Sequence, residues 1–182
     1  MSAETRSKGK LGYPEYARFP DDGRRHEVID GEHVVNPAPD LYHQRLSRRI
    51  QFQLYSQIEL KGLGEVMNAP ADLQLSSWDI VQPDLIVVLS HNRAILTPSK
   101  IEGPPDLVVE ILSSSSEQND RVRKKELYRK SAIAEYWVVD PEARVVEQYI
   151  LSDDAYELLG PHADAVTVQV LEGVRVDLRE VW

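Results

Sequence analysis

The sequence contains no cysteine, and this absence excludes disulfide bonds and thiolate metal sites. It is compatible with a reducing cytoplasm, which is the predicted location. No apolar run approaches the roughly 20 residues that a membrane-spanning helix needs, so no membrane association is predicted. Residues 1–10 lack the apolar core of a signal peptide, and residues 1–12 are predicted to form a disordered leader before a single domain at 13–182.

The motifs of several enzyme classes are also absent. The chain has no Walker loop, no G-x-G-x-x-G, no G-x-S-x-G and no H-E-x-x-H. Its five histidines include no pair at the spacing of helical metal ligands. Carboxylate and carbonyl oxygens therefore remain as the ligands for any metal, and they favour Mg²⁺ or Mn²⁺ over zinc.

Charge is distributed unevenly along the chain. The net charge of −9 argues against a protein that coats nucleic acid without specificity. Residues 140–182 hold ten acids and three bases, whereas residues 121–130 hold six bases and one acid. The basic stretch suits a polyanionic substrate held beside a metal site, although a basic helix is equally a common solvent-facing surface.

Two short apolar runs, each with one acid, organise the sequence. Residues 81–89 read V-Q-P-D-L-I-V-V-L and contain Asp84, and residues 106–113 read D-L-V-V-E-I-L-S and contain Glu110. Such β-branched runs are typical of strands buried on both faces. A buried carboxylate is unfavourable unless it is paired or bound to a metal, so the two acids predict a divalent-metal site. The alternatives are a strand-entry acid bonded to nearby backbone for Asp84, and a buried arginine partner for Glu110.

A helix is predicted at 116–131, beginning at a capping box within the run 114–117. Residues spaced by four share one side of this helix. They are Asp120, Lys124 and Tyr128. This side either meets the two acids or is a solvated face that carries an Asp–Lys pair.

Local patterns predict the other elements. Asp30-Gly31 lies between two alternating runs and predicts a β-hairpin at 25–36. Apolar residues at every fourth position predict an amphipathic helix at 40–60 with Asp40 as its N-cap. Further predictions are a strand at 65–76 with an irregularity at Pro70, a loop at 91–105 that covers substrate or forms a dimer contact, an antiparallel edge strand at 144–151, and β segments at 166–170 and 174–178.

These stretches resemble the Uma2 family (DUF820) of the PD-(D/E)XK nuclease superfamily. The matching stretches are R-H-E-V-I-D-G-E at 25–32, N-P-A-P-D-L-Y-H-Q at 36–44, Q-P-D-L at 82–85, D-L-V-V-E-I-L-S at 106–113, D-R-V-R-K-K-E-L-Y at 120–128 and A-E-Y-W-V-V-D-P at 134–141. The resemblance covers roughly residues 13 to 150. It implies an α/β fold with a restriction-endonuclease-like core, a mixed β-sheet flanked by helices, to which the N-terminal hairpin and C-terminal β segments are added.

The resemblance also implies a function. The expected activity is Mg²⁺-dependent endonucleolytic hydrolysis of nucleic acid, DNA rather than RNA, by a homodimer. A non-catalytic nuclease-fold protein that acts as a homodimeric binding module is the alternative, and it is favoured by the negative charge and by the absence of lysine at position 112, where the superfamily's acid-x-Lys motif would place one.

Site roles follow from the same resemblance. Asp84, Glu110 and the main-chain carbonyl of Ile111 are expected to hold the metal, and Lys124 is expected to replace the lysine missing at position 112. The complete set of expected catalytic residues is Asp84, Glu110, Lys124, Tyr128 and Glu27. Expected substrate contacts are His43, Arg121 and Lys125. For Glu27 the alternative is an exposed hairpin acid, and for His43 it is a structural role.

Overall fold

The structure is a computed structural model that describes residues 9–113 and 118–182. The capping box predicted at 114–117 and most of the predicted leader lie outside the described residues, whereas the Leu11 N–H donates to the Gly31 carbonyl at 2.9 Å. The helices are α1 (Tyr13–Tyr16), α2 (Leu41–Gln57) and α3 (Gln118–Lys130), with 3₁₀ turns at Ser90–Ile95 and Leu178–Glu180. The strands are β1 (Arg25–Ile29), β2 (Glu32–Asn36), β3 (Gly64–Asn68), β4 (Leu73–Ser76), β5 (Asp79–Val81), β6 (Leu85–Leu89), β7 (Ile101–Glu102), β8 (Leu107–Ile111), β9 (Glu135–Asp140), β10 (Val145–Ser152), β11 (Ala155–His162), β12 (Ala165–Thr167) and β13 (Arg175–Asp177).

A six-stranded sheet with the order β11-β10-β9-β8-β6-β3 forms the centre of the fold. Strands β8 and β9 run parallel, and their neighbours pair antiparallel. The predicted mixed sheet is therefore confirmed. Its central strands read as continuous apolar runs because both of their faces are covered.

Alternate side chains of the central strands enter two different cores. Leu85 and Val87 pack with α2 and the C-terminal β segments, whereas Ile86 and Val88 pack with α3 and a second sheet. This period of two is the geometry of an extended strand. Burying each such aliphatic side chain stabilises the fold by about 1.5–3 kcal/mol, which fixes the sheet between its two layers.

The second sheet has the order β2-β1-β5-β4-β7 and contains the predicted hairpin. The turn residues Asp30 and Gly31 have φ angles of 53° and 77°. Two consecutive positive φ angles are the requirement of a type I′ turn, which Asp-Gly satisfies. The hairpin prediction is confirmed, and β1 is held between β2 and β5.

The single strand predicted at 65–76 is wrong. Strand β3 joins the six-stranded sheet and β4 joins the second sheet, with Pro70 in the connection. Proline has no N–H to donate to a ladder, so the chain leaves one sheet there before it enters the other.

The run 81–89 is likewise divided. Val81 ends β5 in the second sheet and Leu85 begins β6 in the first. Residues 82–84 cross between the sheets, which places Asp84 at the entry of β6. This position brings Asp84 close to residues of both sheets.

Two further differences concern loops and edges. The predicted loop 91–105 contains β7, which pairs parallel with β4, and none of its residues lines the cavity between Asp84 and Glu110.

The strand predicted as an edge at 144–151 is covered by β11. Gly160 and Pro161 are tolerated in β11 because β11 is itself an edge strand.

Candidate active site

Asp84 and Glu110 lie side by side on neighbouring strands. The antiparallel register of β6 and β8 pairs Leu85 with Val109, so Asp84 lies beside Glu110 at the next position. A small cavity of about 80 Å³ opens between them, and we call it the acid cavity. Its charged and titratable lining residues are Arg25, His43, Asp84, Glu110, Arg121, Lys124 and Tyr136.

Asp84 is almost completely buried, and both of its carboxylate oxygens accept hydrogen bonds. Its Oδ1 accepts from Arg25 Nη1 at 2.6 Å, and its Oδ2 accepts from the Ile111 N–H at 2.7 Å. Burial raises the pKa of the Asp84 carboxyl, but the hydrogen bond from His43 and the charge of Arg25 outweigh this effect and lower it. Asp84 is therefore a carboxylate at neutral pH. The backbone bond expected of a strand-entry acid is present, together with an ion pair.

Glu110 accepts two hydrogen bonds on one oxygen from α3. Tyr128 Oη donates to Glu110 Oε1 at 2.5 Å, and Lys124 Nζ donates to the same atom at 3.0 Å. Its cationic partner is therefore a lysine and not the arginine of the alternative interpretation. Burial raises the pKa of the Glu110 carboxyl; Lys124 opposes that shift, and the nearby charges of Asp84 and Glu27 add to it.

Lys124 bridges two acids that come from different sheets. Its Nζ lies 2.9 Å from Glu27 Oε1 and 3.0 Å from Glu110 Oε1. Burial alone would lower the pKa of the Lys124 ammonium, but the charges of Glu110 and Glu27 raise it above its ordinary value. The Lys124 side chain therefore brings a permanent positive charge to the two acids.

Glu27 is completely buried, so its alternative description as an exposed hairpin acid is wrong. It accepts from Asn36 Nδ2 at 2.7 Å and from the Gln82 N–H at 2.8 Å, in addition to Lys124. Strand alternation places Glu27 on the same face of β1 as Ile29, which faces α3. Glu27 thereby fixes Lys124 from the side opposite Glu110.

His43 belongs to the same cluster. Its Nε2 lies 3.1 Å from both Asp84 Oδ2 and the Ile111 carbonyl oxygen. Both neighbours are acceptors, so Nε2 carries the hydrogen, and Nδ1 has no hydrogen-bond partner within residues 9–113 and 118–182. The N-cap Asp40 accepts from the His43 N–H at 2.8 Å and so orients this first helical turn.

The oxygen donors fit a hard cation. Asp84 Oδ2 and the Ile111 carbonyl oxygen lie close to each other, because each is 3.1 Å from Nε2 of His43. Within the described residues, no group of three or more His, Asp or Glu side chains is arranged to hold a metal. Mg²⁺ is commonly bound by only one or two carboxylates, with water and substrate phosphate completing its ligands. Asp84 and Glu110 supply two carboxylates on neighbouring strands, and the Ile111 carbonyl supplies a further oxygen.

The outer side of α3 is charge-compensated. Arg121 forms an ion pair with Glu147, and Lys125 Nζ lies 3.6 Å from the centre of the Tyr149 ring. Of these two expected substrate contacts, Arg121 lines the acid cavity and Lys125 does not. Arg121 and Lys125 therefore have their partners on β10, whereas Arg129 pairs with Glu126 inside the basic stretch.

The sequence did not single out Arg25 as a site residue. Its guanidinium forms the ion pair with Asp84 at 2.6 Å. The available signal was strand alternation, since Arg25 precedes Glu27 by two residues on β1 and therefore shares its face. That signal became informative only with the position of Asp84 known.

Comparison with known proteins identifies the family of this chain. The model of the Uma2 family, described as "Putative restriction endonuclease", matches residues 13–179. The chain belongs to the Uma2 family. The Uma2 match includes every residue of the acid cavity.

A solved structure shows the same fold. It is described as a "putative nuclease belonging to DUF820" from Anabaena variabilis ATCC 29413, and it matches with a TM-score of 0.78 at 17% sequence identity. The match covers 94% of this Uma2 chain and 97% of the other. No curated protein matches the chain. Among the described residues, no helix has the length and apolar character needed to cross a membrane.

Proposed function

We propose that this Uma2 protein is a metal-dependent endonuclease that hydrolyses phosphodiester bonds of nucleic acid, DNA rather than RNA, with Mg²⁺ or Mn²⁺ as cofactor. The observation that carries this proposal is the position of Lys124, which brings an ammonium from a helix to within 3.0 Å of Glu110 beside Asp84. Acids on two adjacent strands with a lysine at hydrogen-bond distance supply both metal ligands and a charge stabiliser. The family and the nuclease fold are consistent with this chemistry.

Asp84, Glu110 and the Ile111 carbonyl are assigned to the cation. When bound there, the cation polarises the scissile phosphate and lowers the pKa of a water nucleophile. Arg25 and the Ile111 N–H hold the Asp84 carboxylate in one orientation. His43 donates to the same Asp84 carboxylate, so its assigned role is to position a ligand and contact the substrate.

Lys124 is assigned to the charge that develops on the phosphate oxygens. A fixed ammonium in a buried cavity needs no reorganisation during the reaction, and such a donor is worth about 10²–10³ in rate. Tyr128 fixes Glu110 through its hydroxyl, and Glu27 fixes Lys124 through its carboxylate. These two residues act by holding Glu110 and Lys124 in place.

The direct test is a cleavage assay on plasmid DNA, linear DNA and RNA with Mg²⁺, Mn²⁺ or a chelator. Wild type is expected to cleave DNA only with a cation present, and Asp84→Asn and Glu110→Gln are expected to be inactive while circular dichroism shows them folded. Cleavage that persists in chelator, or equal cleavage by the folded variants, contradicts the proposal.

One observation favours a non-catalytic binding module as the second candidate. Asp84 and Glu110 are already paired with Arg25 and Lys124, which neutralises the acids without a cation. Binding of nucleic acid by a wild-type protein that cleaves neither DNA nor RNA would support this candidate. The homodimer stays a prediction for either function, and light scattering that gives the mass of a single 20.7 kDa chain would contradict it.

A further inference from the structure

A groove of much larger volume than the acid cavity runs along α2. Its volume is about 620 Å³, and we call it the α2 groove. Its charged lining residues are Arg25, Arg45, Arg48 and Asp84. Three positive charges therefore face one negative charge, in a protein whose net charge is −9.

Arg45 and Arg48 differ from the basic residues of α3. Both are exposed, and within residues 9–113 and 118–182 neither has a carboxylate within ion-pair distance. On α3, by contrast, Arg121 pairs with Glu147 and Arg123 pairs with Glu32 at 2.7 Å. An arginine that is already paired must exchange partners to bind phosphate, whereas Arg45 and Arg48 need not.

The helix fixes these two arginines in place. Leu46 and Ile50 on the opposite side of α2 are completely buried against the six-stranded sheet, so the helix cannot turn. Arg45 and Arg48 are three residues apart and are therefore neighbours on one helical face. Arg49 points elsewhere, since its Nη1 donates to the carbonyls of the last two residues at 3.0 and 2.9 Å.

The α2 groove leads directly to the acids. Arg25, Pro39 and Asp84 line both the groove and the acid cavity. A polyanion lying along α2 would therefore reach Asp84 without crossing another element.

We propose that the α2 groove binds the sugar–phosphate backbone of the nucleic acid on one side of the scissile phosphate, and that Arg45 and Arg48 are its phosphate contacts. This inference rests on the proposed function for the identity of the polyanion. It makes α2, rather than the basic face of α3, the principal substrate-binding surface. Guanidinium groups suit this role because they contact phosphate oxygens through paired N–H donors.

The test measures binding apart from cleavage. Fluorescence anisotropy of labelled duplex DNA in chelator would compare wild type with Arg45→Ala, Arg48→Ala and the double variant. Arg175→Ala is the matched control, because Arg175 is an equally exposed arginine whose backbone contacts the far end of α2 but which lies outside the groove. Arg121→Ala and Lys125→Ala test the rival surface on α3.

Each groove variant is expected to bind about five- to tenfold more weakly at about 0.1 M salt, and its plot of log affinity against log salt is expected to be shallower by about 0.9. Arg175→Ala is expected to match wild type. Groove variants that bind as tightly as Arg175→Ala overturn the inference, as does a larger loss in the α3 variants.

The outcomes separate this inference from the proposed function. Loss of binding in the groove variants of a protein that binds but never cleaves supports the α2 groove and overturns the nuclease. Cleavage with unchanged binding in the groove variants supports the nuclease and overturns the groove. A wild-type protein that neither binds nor cleaves DNA or RNA overturns both.

Discussion

Two glutamates, Glu110 and Glu135, are buried on the adjacent parallel strands β8 and β9, yet their surroundings differ completely. Among the residues that the structure describes, Glu135 accepts only from neutral groups, at 2.6 to 3.0 Å. These donors are Trp137 Nε1, Gln148 Nε2 and the backbone N–H groups of Gln169 and Val170. Glu110 instead accepts from a lysine and a tyrosine, beside two other acids.

Burial alone does not distinguish the two glutamates, but the groups that surround each carboxylate do. The donors to Glu135 come from β9, β10 and the C-terminal segment, so this carboxylate joins that segment to the sheet. The charges around Glu110 repel as well as attract, and the residue opens onto the acid cavity. A buried acid with neutral donors stabilises the fold, whereas a buried acid among charges beside a cavity is a candidate functional residue.

The largest expected effect concerns the charge that distinguishes Glu110 from Glu135. Lys124→Ala is expected to lower the rate of metal-dependent cleavage by about 10²–10³, because the developing phosphate charge loses its fixed ammonium. The matched control is Lys125→Ala, whose side chain lies over Tyr149 away from the acids. The measurement is single-turnover cleavage at low and moderate salt, and a Lys124→Ala protein as active as Lys125→Ala would contradict the assignment.

The next effect is on stability. Glu135→Ala is expected to lower the free energy of unfolding by about 3 kcal/mol, because it leaves several buried donors without an acceptor. Glu135→Gln keeps the side-chain shape and is expected to lose less. Urea denaturation measures both, and a Glu135→Ala protein as stable as wild type would show that its hydrogen bonds do not hold the C-terminal segment.

Urea denaturation of a Glu110 variant tests the difference between Glu110 and Glu135. Glu110→Gln is expected to change the free energy of unfolding by less than about 1 kcal/mol, because the lost contact with Lys124 is offset by relief of the repulsion from Asp84 and Glu27. A loss as large as that of Glu135→Ala would make Glu110 a structural residue and remove the distinction.

The smallest expected effect is on pH dependence without divalent cations. Because burial raises the pKa of Glu110 above its ordinary value of 4.5, the folded chain binds this proton more tightly than the unfolded chain does. The resulting stabilisation is complete below 4.5 and is lost as pH rises through the folded pKa. Wild type is therefore expected to lose stability relative to Glu110→Gln from acid to neutral pH, measured by urea denaturation in chelator. A constant difference between the two proteins would contradict the raised pKa.

Local signals explain what could be predicted from the sequence. The hairpin follows from Asp30-Gly31, the start of α2 from Asp40, and the strands β6 and β8 from their apolar runs. Each signal lies within the element that it predicts.

The features that could not be predicted from the sequence depend on contacts between distant segments. Glu27 is buried only because β1 packs under α3, and Arg25 meets Asp84 across 59 residues of sequence. The partner of Arg121 in the basic stretch 121–130 is Glu147, which belongs to a later strand. No local pattern carries this information.

The most direct test of the metal site is a calorimetric titration of Mn²⁺ into wild type, Asp84→Asn, Glu110→Gln and Glu135→Gln. Wild type and Glu135→Gln are expected to bind the cation, whereas Asp84→Asn and Glu110→Gln are expected not to, because only they lose a carboxylate of the acid cavity. Equal binding by all four proteins, or no binding by wild type, would contradict a cation site built on Asp84 and Glu110.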